Sequence, residues 1–198
     1  MLLAGLILAV VLAWTLLSFG LSLPFLLGLF FFMLFGLIIG AAMFRFGVRS
    51  RPLPKAQVVG ATVLVALTCW LVSLTKECLD FPDDFVKRAM PPKGVYIPPE
   101  PGSYERVRSQ LREYIVSYLQ REYPPGGALG YLQMAAAGEP VIVDMPGQPK
   151  KVRIPPPAKA GVWWTRVILA LVLGFVAIYS QTAALARARE EAESESAG

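Results

Sequence analysis

Residues 1–44, MLLAGLILAVVLAWTLLSFGLSLPFLLGLFFFMLFGLIIGAAMF, contain no charged side chain. A bilayer hydrocarbon core about 30 Å thick is crossed by about 20 apolar helical residues, so this stretch accommodates two spans, which we place at residues 2–19 and 24–44. The first span lacks the basic leader of a secretory signal, and we expect it to be a retained helix. Residues 45–55 then bring four basic side chains and no acidic one, at Arg45, Arg49, Arg51 and Lys55. The pattern predicts a transmembrane hairpin closed by a short basic loop.

Two further apolar stretches follow the hairpin. Residues 56–75 are uncharged, and residues 162–184 contain only Arg166 as a charge. The whole chain is 17% charged, whereas a soluble domain is about 25% charged. We therefore predict a mainly α membrane protein with four transmembrane helices and a small extramembrane α+β domain inserted between helices 3 and 4, at residues 76–161.

The basic loop predicts the orientation. Short loops rich in Lys and Arg stay cytoplasmic, whereas long segments translocate largely regardless of charge. We therefore expect an integral membrane protein of the bacterial inner membrane, or an equivalent membrane, with residues 45–55 and both termini in the cytoplasm. Residues 76–161 would face outward, and the acidic tail at residues 185–198 would return inside.

Proline divides the outward segment into short pieces. It holds 14 of the 17 prolines, and proline ends helices and stiffens connections. Between the prolines, the apolar spacing of residues 103–123 predicts a helix with Ser103 as its N-cap, and residues 129–137 predict a weaker helix. The segments VIV at 141–143 and VRI at 152–154 predict a β-hairpin, which would pack on the first of these helices.

Small residues in the second span suggest a helix-packing face. Gly28, Gly36 and Gly40 share one side of the predicted helix, and Gly36 and Gly40 form a GxxxG pattern that lets another helix approach closely in lipid. Glycine is also common in membrane helices generally. We expect any contact through this face to lie mostly within the chain.

Aromatic residues mark two candidate surfaces. Four tyrosines of the outward helix, Tyr104, Tyr114, Tyr118 and Tyr123, form a candidate partner interface, because tyrosine is enriched at interfaces; the alternative is that they build the domain's own core. Trp163 and Trp164 open the fourth span, where indole rings settle among lipid headgroups. Arg166 follows them, and its long side chain can reach back to the same interface.

Several functional classes are disfavoured by composition. The chain has no histidine, which removes imidazole bases, Ser–His and Cys–His nucleophile pairs and ordinary zinc sites. Between residues 76 and 162 there are 12 basic and 10 acidic side chains, which is too balanced for a nucleic-acid surface. The two cysteines form no disulfide framework. We expect no cofactor, no metal and no nucleic-acid partner.

One acidic cluster needs separate mention. Glu77, Asp80, Asp83 and Asp84 follow the third span closely, and carboxylates are the ligands that Ca²⁺ prefers. Their spacing matches no calcium loop, and Asp83 directly follows Pro82, where it would cap a short new helix. We interpret the cluster as a cap and solvated charge, with a metal site or a partner contact as alternatives.

These observations favour a non-catalytic membrane subunit, an accessory or structural protein that contacts lipid and docks other membrane-protein subunits in a larger assembly. The first alternative is a self-associating channel or small-solute transporter whose path lies between protomers, because the spans hold almost no ionisable residues. The second alternative is a membrane enzyme that uses the four carboxylates. The sequence identifies no catalytic residue.

Overall fold

The computed structural model describes residues 1–18, 25–47, 54–90, 95–144 and 150–196. It is mostly helical, with one small sheet. The elements in chain order are α1 (Leu2–Ser18), α2 (Phe25–Gly47), α3 (Lys55–Ala89), α4 (Ser103–Glu122), α5 (Gly127–Ala137), β1 (Val141–Val143), β2 (Val152–Ile154) and α6 (Ala160–Ser196). The predicted turn before α2 and the basic residues Arg49 and Arg51 lie outside the described residues.

In the part of the chain that the structure describes, three helices are long and apolar enough to cross a membrane. They are Gly28–Gly47 within α2, the helix α3, and Ala160–Leu185 within α6. The helix α1 is also apolar, but its 17 residues extend only about 25 Å at 1.5 Å per residue, which is less than the thickness of a typical hydrocarbon core. Three membrane-competent helices thus support membrane insertion, and a span at α1 remains a prediction.

The chain divides into two compact units. We call residues 1–74 with 166–198 the apolar unit and residues 75–165 the mixed unit. The core of the apolar unit combines side chains from α1, α2, α3 and α6, among them Ala13, Met43, Val65 and Ile178. Most of these core side chains are small or unbranched, which allows the helix backbones to lie close together.

The helix α3 does not end where the sequence predicted. The third span was expected to stop at Thr75, with a separate short helix capped by Asp83; instead α3 continues to Ala89 with Pro82 inside it. Proline removes one backbone hydrogen bond. However, Phe81, Phe85 and Ala89 recur at helical spacing and are all buried, so packing outweighs that loss. The prediction of a cap at Asp83 was wrong.

The elements of the mixed unit largely follow the sequence pattern. The helix α4 was predicted at residues 103–123 and is confirmed at Ser103–Glu122, and its buried stripe contains Val107, Leu111, Ile115 and Leu119. Its N-cap is Gly102 rather than Ser103, because the preceding turn places Gly102 at a φ of 78°, where glycine is favoured. Ser103 is instead buried.

The β-hairpin is also confirmed. The strands β1 and β2 pair in antiparallel register, with Ile142 opposite Arg153. Val141, Val143 and Ile154 are buried, whereas Ile142 and Arg153 point to the exposed face. This alternation is what a half-buried strand pair requires. The turn at residues 145–149 lies outside the described residues.

Candidate functional site

Two of the three predicted glycines lie against α6. A Cβ atom added to Gly36 would lie 2.7 Å from the Cβ of Ala177, and one added to Gly40 would lie 2.8 Å from the carbonyl oxygen of Ile178. Neither distance leaves space for a side chain, and the second neighbour is backbone. The close approach of α2 and α6 therefore depends on the absence of a side chain at Gly36 and Gly40. We call this contact the glycine seam.

The third predicted glycine is not part of this contact. A Cβ added to Gly28 would meet no atom of the described chain within 4 Å. By contrast, Gly5 of α1, which the sequence analysis did not single out, would place a Cβ 2.8 Å from the side chain of Met43. Ala9 and Ala13 follow Gly5 at four-residue steps and are both buried. This small-xxx-small spacing was the signal that would have identified α1 as a second packing helix.

Polar groups join α3 to α6 inside the apolar unit. The hydroxyls of Thr62 and Thr182 lie 3.2 Å apart, and both residues are fully buried. The Trp70 indole Nε1–H donates to the carbonyl of Val167 at 3.0 Å. In lipid, such contacts contribute about 0.6 kcal/mol each on average. They therefore orient the two helices more than they stabilise them.

The space between α2, α3 and α6 is small. A cavity of about 10 Å³ lies there, lined mainly by Gly36, Ala66, Gly174 and neighbouring apolar side chains. This volume is near the minimum that one water molecule requires, and apolar cavities of this kind stay dry. The cavity is therefore unsuited to a solute larger than water.

The outer surface of the apolar unit is hydrophobic. Large apolar side chains on all four helices are more than a third exposed, although a soluble protein rarely exposes such residues over a contiguous surface. A hydrocarbon environment removes this cost, because lipid tails are as apolar as the side chains themselves. These side chains include Leu3, Ile7, Val11, Trp14, Phe30, Ile38, Leu64, Leu71, Ile168 and Val176.

The predicted tyrosine interface divides into two kinds of residue. Tyr104 is 54% exposed. Tyr114 and Tyr118 are half-buried, and their rings are stacked with centroids 6.3 Å apart, while Tyr123 lies 6.3 Å from Tyr118. The three rings form a continuous aromatic row at the edge of the buried face of α4.

Two hydroxyls of this row bind β1 and the residue Glu139 that precedes it in sequence. The Tyr114 hydroxyl donates to the carbonyl of Ile142 at 2.8 Å, and the Tyr123 hydroxyl donates to the Glu139 carboxylate at 3.1 Å. Burial, together with the hydrogen bond to Glu139, raises the pKa of Tyr123 to about 12. Its hydroxyl therefore stays a donor at physiological pH. Tyr114 and Tyr123 thus serve the domain's own packing as well as its surface.

Tyr131 was not predicted as a functional residue, yet it lies at the centre of the mixed unit. It is 1% exposed, and its ring centroid lies 4.6 Å from that of Phe81. Its hydroxyl donates to the carboxylate of Glu77 at 2.5 Å, and Glu77 is itself buried. No periodicity links Glu77 to Tyr131, because the two residues are far apart in sequence.

The acidic cluster at residues 77–84 is spread over separate partners. Within the described chain, no group of three Cys, Asp or Glu side chains is arranged to hold a metal ion. Asp80 pairs with Lys76 and Asp84 with Arg88, each one helical turn away, while Asp83 faces α4. The nitrogen–oxygen distances are 2.9 Å for Arg88–Asp84 and 3.7 Å for Arg112–Asp83. The alternative of an enzyme that uses these four carboxylates gains no support from this arrangement.

The three predicted membrane-interface anchors differ in exposure. Trp164 is 48% exposed, whereas Trp163 is 3% exposed, because a helix presents neighbouring residues to different sides. The placement of Trp163, Trp164 and Arg166 at a membrane interface stays a prediction. Arg166 is half-buried in the apolar unit.

Comparisons with protein-family models, with curated proteins and with solved structures find no match to this chain.

Proposed function

We propose that this chain is a non-catalytic integral membrane subunit in which four helices anchor a small α+β domain that docks other proteins. The observation that carries the proposal is the contrast between the two units. The apolar unit has a closely packed interior and a hydrophobic exterior, as a lipid anchor requires. The mixed unit carries exposed aromatic side chains such as Tyr96 and Tyr104, and aromatic residues are enriched at protein interfaces.

The proposed topology follows from the basic loop. Residues 45–55 and both termini lie in the cytoplasm, the four spans are α1, most of α2, the first part of α3 and the first part of α6, and residues 76–161 face outward. The charge bias of short loops supports this arrangement, and the 26-residue segment Ala160–Leu185 of α6 is long enough for the last span. For α1, tilting is unnecessary, since a short span is accommodated by local thinning of the bilayer.

Docking is supported by exposed aromatic and apolar side chains on α4 and β1. Tyr104 and Val116 are about half exposed on α4, and Ile142 is 52% exposed on β1. Tyrosine is among the residues enriched at the few positions that carry most of the binding energy at interfaces. The transporter alternative requires a path between protomers, because the predicted spans hold almost no ionisable side chains, and the described cavity between α2, α3 and α6 has room for no more than one water molecule.

Purification in a mild detergent followed by native mass measurement tests the proposed function. We expect defined heterologous polypeptides to remain bound to the chain. Tyr104→Ala should reduce the amount of bound partner without lowering stability. The matched control Leu129→Ala, at a position of α5 that is 57% exposed, should leave the amount of bound partner unchanged. A closed oligomer of this chain alone would favour the channel, and a chain that is always monomeric and alone would also contradict the proposal.

Cysteine labelling tests the topology. In a chain carrying Cys69→Ala and Cys78→Ala, Ser50→Cys should react with a membrane-impermeant maleimide only from the cytoplasmic side. Ser109→Cys, on the exposed surface of α4, should react only from the opposite side and is the matched control. If the two cysteines react from the same side, the proposed order of spans is wrong, and if each reacts from the side opposite to that expected, the topology is inverted.

A further inference from the structure

We infer that the outer edge of β2 is a docking site for an extended, acidic segment of a partner protein, which adds to the hairpin as a third strand. This inference rests on the proposed docking function and names the surface and the kind of partner. The sheet contains two strands in the described part of the chain. Each strand therefore has one edge that is not paired with another strand.

One backbone group at the outer edge of β1 is engaged by α4. The carbonyl of Ile142 accepts the Tyr114 hydroxyl, so this carbonyl points away from β2. In an antiparallel ladder, hydrogen-bonded and non-hydrogen-bonded pairs alternate. Since Ile142 is opposite Arg153, these two residues form the non-hydrogen-bonded pair. It follows that the backbone N–H and C=O of Arg153 point away from β1, toward the outer edge of β2.

That outer edge is exposed at Arg153, whereas the carbonyl of Pro155 beyond it accepts a hydrogen bond from Arg88 of α3. Arg153 is exposed, and so are Lys150, Lys151 and Pro155 on either side of it. Among the described residues, no backbone group outside the hairpin bonds to Arg153. One donor and one acceptor at the centre of β2 are thus available to an incoming strand, which is the requirement for recognition by β-augmentation.

The charge of this edge selects the partner. Lys151 is engaged by Asp144 at 2.7 Å, and this hydrogen bond raises the pKa of Lys151. Lys150 and Arg153 form no ion pair within the described chain. These two cations favour carboxylates on the incoming strand, because complementary charge steers association and selects partners.

Strand geometry narrows the sequence further. Side chains on neighbouring strands that lie opposite one another share a face. A residue opposite Arg153 would lie on the exposed face, where a carboxylate is favourable. Residues opposite Val152 and Ile154 would lie on the inner face, where Ile154 is buried and apolar side chains are favourable. The site therefore fits an alternating apolar–acidic–apolar segment. The prolines that follow β2 limit the pairing to a short length, because proline lacks a backbone donor.

A peptide-binding experiment with the full chain in zwitterionic nanodiscs tests the inference. The probe is the fluorescein-labelled peptide Val-Glu-Val-Glu-Val, acetylated and amidated at its ends. We expect it to bind, with fluorescence anisotropy rising on titration, and Arg153→Glu should weaken binding by about tenfold, which corresponds to about 1.4 kcal/mol. Arg106→Glu, the same charge change at an exposed position of α4, should leave binding unchanged.

Two control peptides separate backbone pairing from simple charge attraction. Val-Lys-Val-Lys-Val should not bind, and the acidic peptide methylated at the backbone nitrogens of both glutamates should lose most of its affinity. Absence of binding by the acidic peptide, or equal binding by its methylated form, would overturn the inference. So would an effect of Arg153→Glu only on association with phosphatidylglycerol vesicles, because the basic edge would then belong to a lipid contact.

The outcome is distinguishable from failure of the proposed function. If defined partner polypeptides still co-purify with the Arg153→Glu chain, and the acidic peptide does not bind the unmodified chain, then the docking subunit stands and the β2 edge is not its docking site. If the peptide binds as expected but no partner co-purifies, the edge is a strand-accepting site and the subunit assignment is wrong.

Discussion

Gly40→Leu should destabilise the apolar unit by about 3 kcal/mol, the upper part of the usual range for overpacking in a well-packed core. A Cβ at Gly40 would lie 2.8 Å from the backbone carbonyl of Ile178 and 2.9 Å from the Cβ of Gln181. Because one of these atoms is backbone, the neighbour has no rotamer with which to give way. The expected result is a separation of α2 from α6. Reversible unfolding in mixed micelles provides the measurement.

The same contact allows a finer test at Gly36. A Cβ there would lie 2.7 Å from the Cβ of Ala177, so Gly36→Ala alone should destabilise the unit. Ala177→Gly in the same chain removes the clashing atom, and it should restore most of the lost stability. Such a double-mutant cycle measures the coupling of the two positions directly. A helix-propensity effect would not produce this rescue, since glycine is the poorer helix former.

Gly28→Leu is the matched control for the seam. It lies on the same predicted face of α2, but a Cβ there meets no atom of the described chain within 4 Å. We expect its stability to stay within about 0.5 kcal/mol of the unmodified chain. If Gly28→Leu is as destabilising as Gly40→Leu, or if Gly40→Leu is harmless, the glycine seam does not determine the packing of α2 against α6.

Tyr131→Ala should destabilise the mixed unit by about 3–5 kcal/mol, the usual cost of truncating a buried aromatic residue. The ring packs against Phe81 with centroids 4.6 Å apart, and its loss leaves a cavity in the core. Tyr131→Phe retains the ring but removes the hydroxyl that donates to Glu77. Hydrogen bonds to charged groups contribute about 1.5–3 kcal/mol, so this milder variant should lose about that amount.

The matched control is Tyr104→Ala. It removes the same side chain from a position that is 54% exposed, and it should change stability by less than about 0.5 kcal/mol. Loss of near-ultraviolet circular dichroism with increasing denaturant measures all three variants. Equal effects of Tyr131→Ala and Tyr104→Ala would contradict the assignment of Tyr131 to the core.

Hydrophobic spacing was sufficient to predict most elements. The helix α4 and the two strands lie close to where the pattern of apolar residues placed them. In each of them, the spacing of apolar and polar residues along the local sequence indicates which face is buried. The end of α3 was not predictable in the same way. Pro82 is a local stop signal, and the packing of Phe81 and Phe85 that overrides it involves residues from other elements.

The candidate site likewise combines features that the sequence indicated and features that it did not. The sequence indicated that Gly36 and Gly40 favour close helix contact, but not that α6 is their neighbour, and not that Gly28 lies apart from the contact. It marked four tyrosines of α4 as a surface, yet it gave no sign that Tyr131 binds buried Glu77, or that Trp163 is buried beside exposed Trp164.

By itself, the sequence determined that this chain contains membrane-competent apolar helices and a proline-rich segment with a helix and a hairpin. Those properties follow from hydrophobicity and from backbone restrictions that act over a few residues. The tertiary structure alone decided which glycines lie in the glycine seam, which tyrosine is buried in the core of the mixed unit and which strand edge stays exposed. Each of these depends on distances between residues remote in sequence, and such distances arise only when the elements pack.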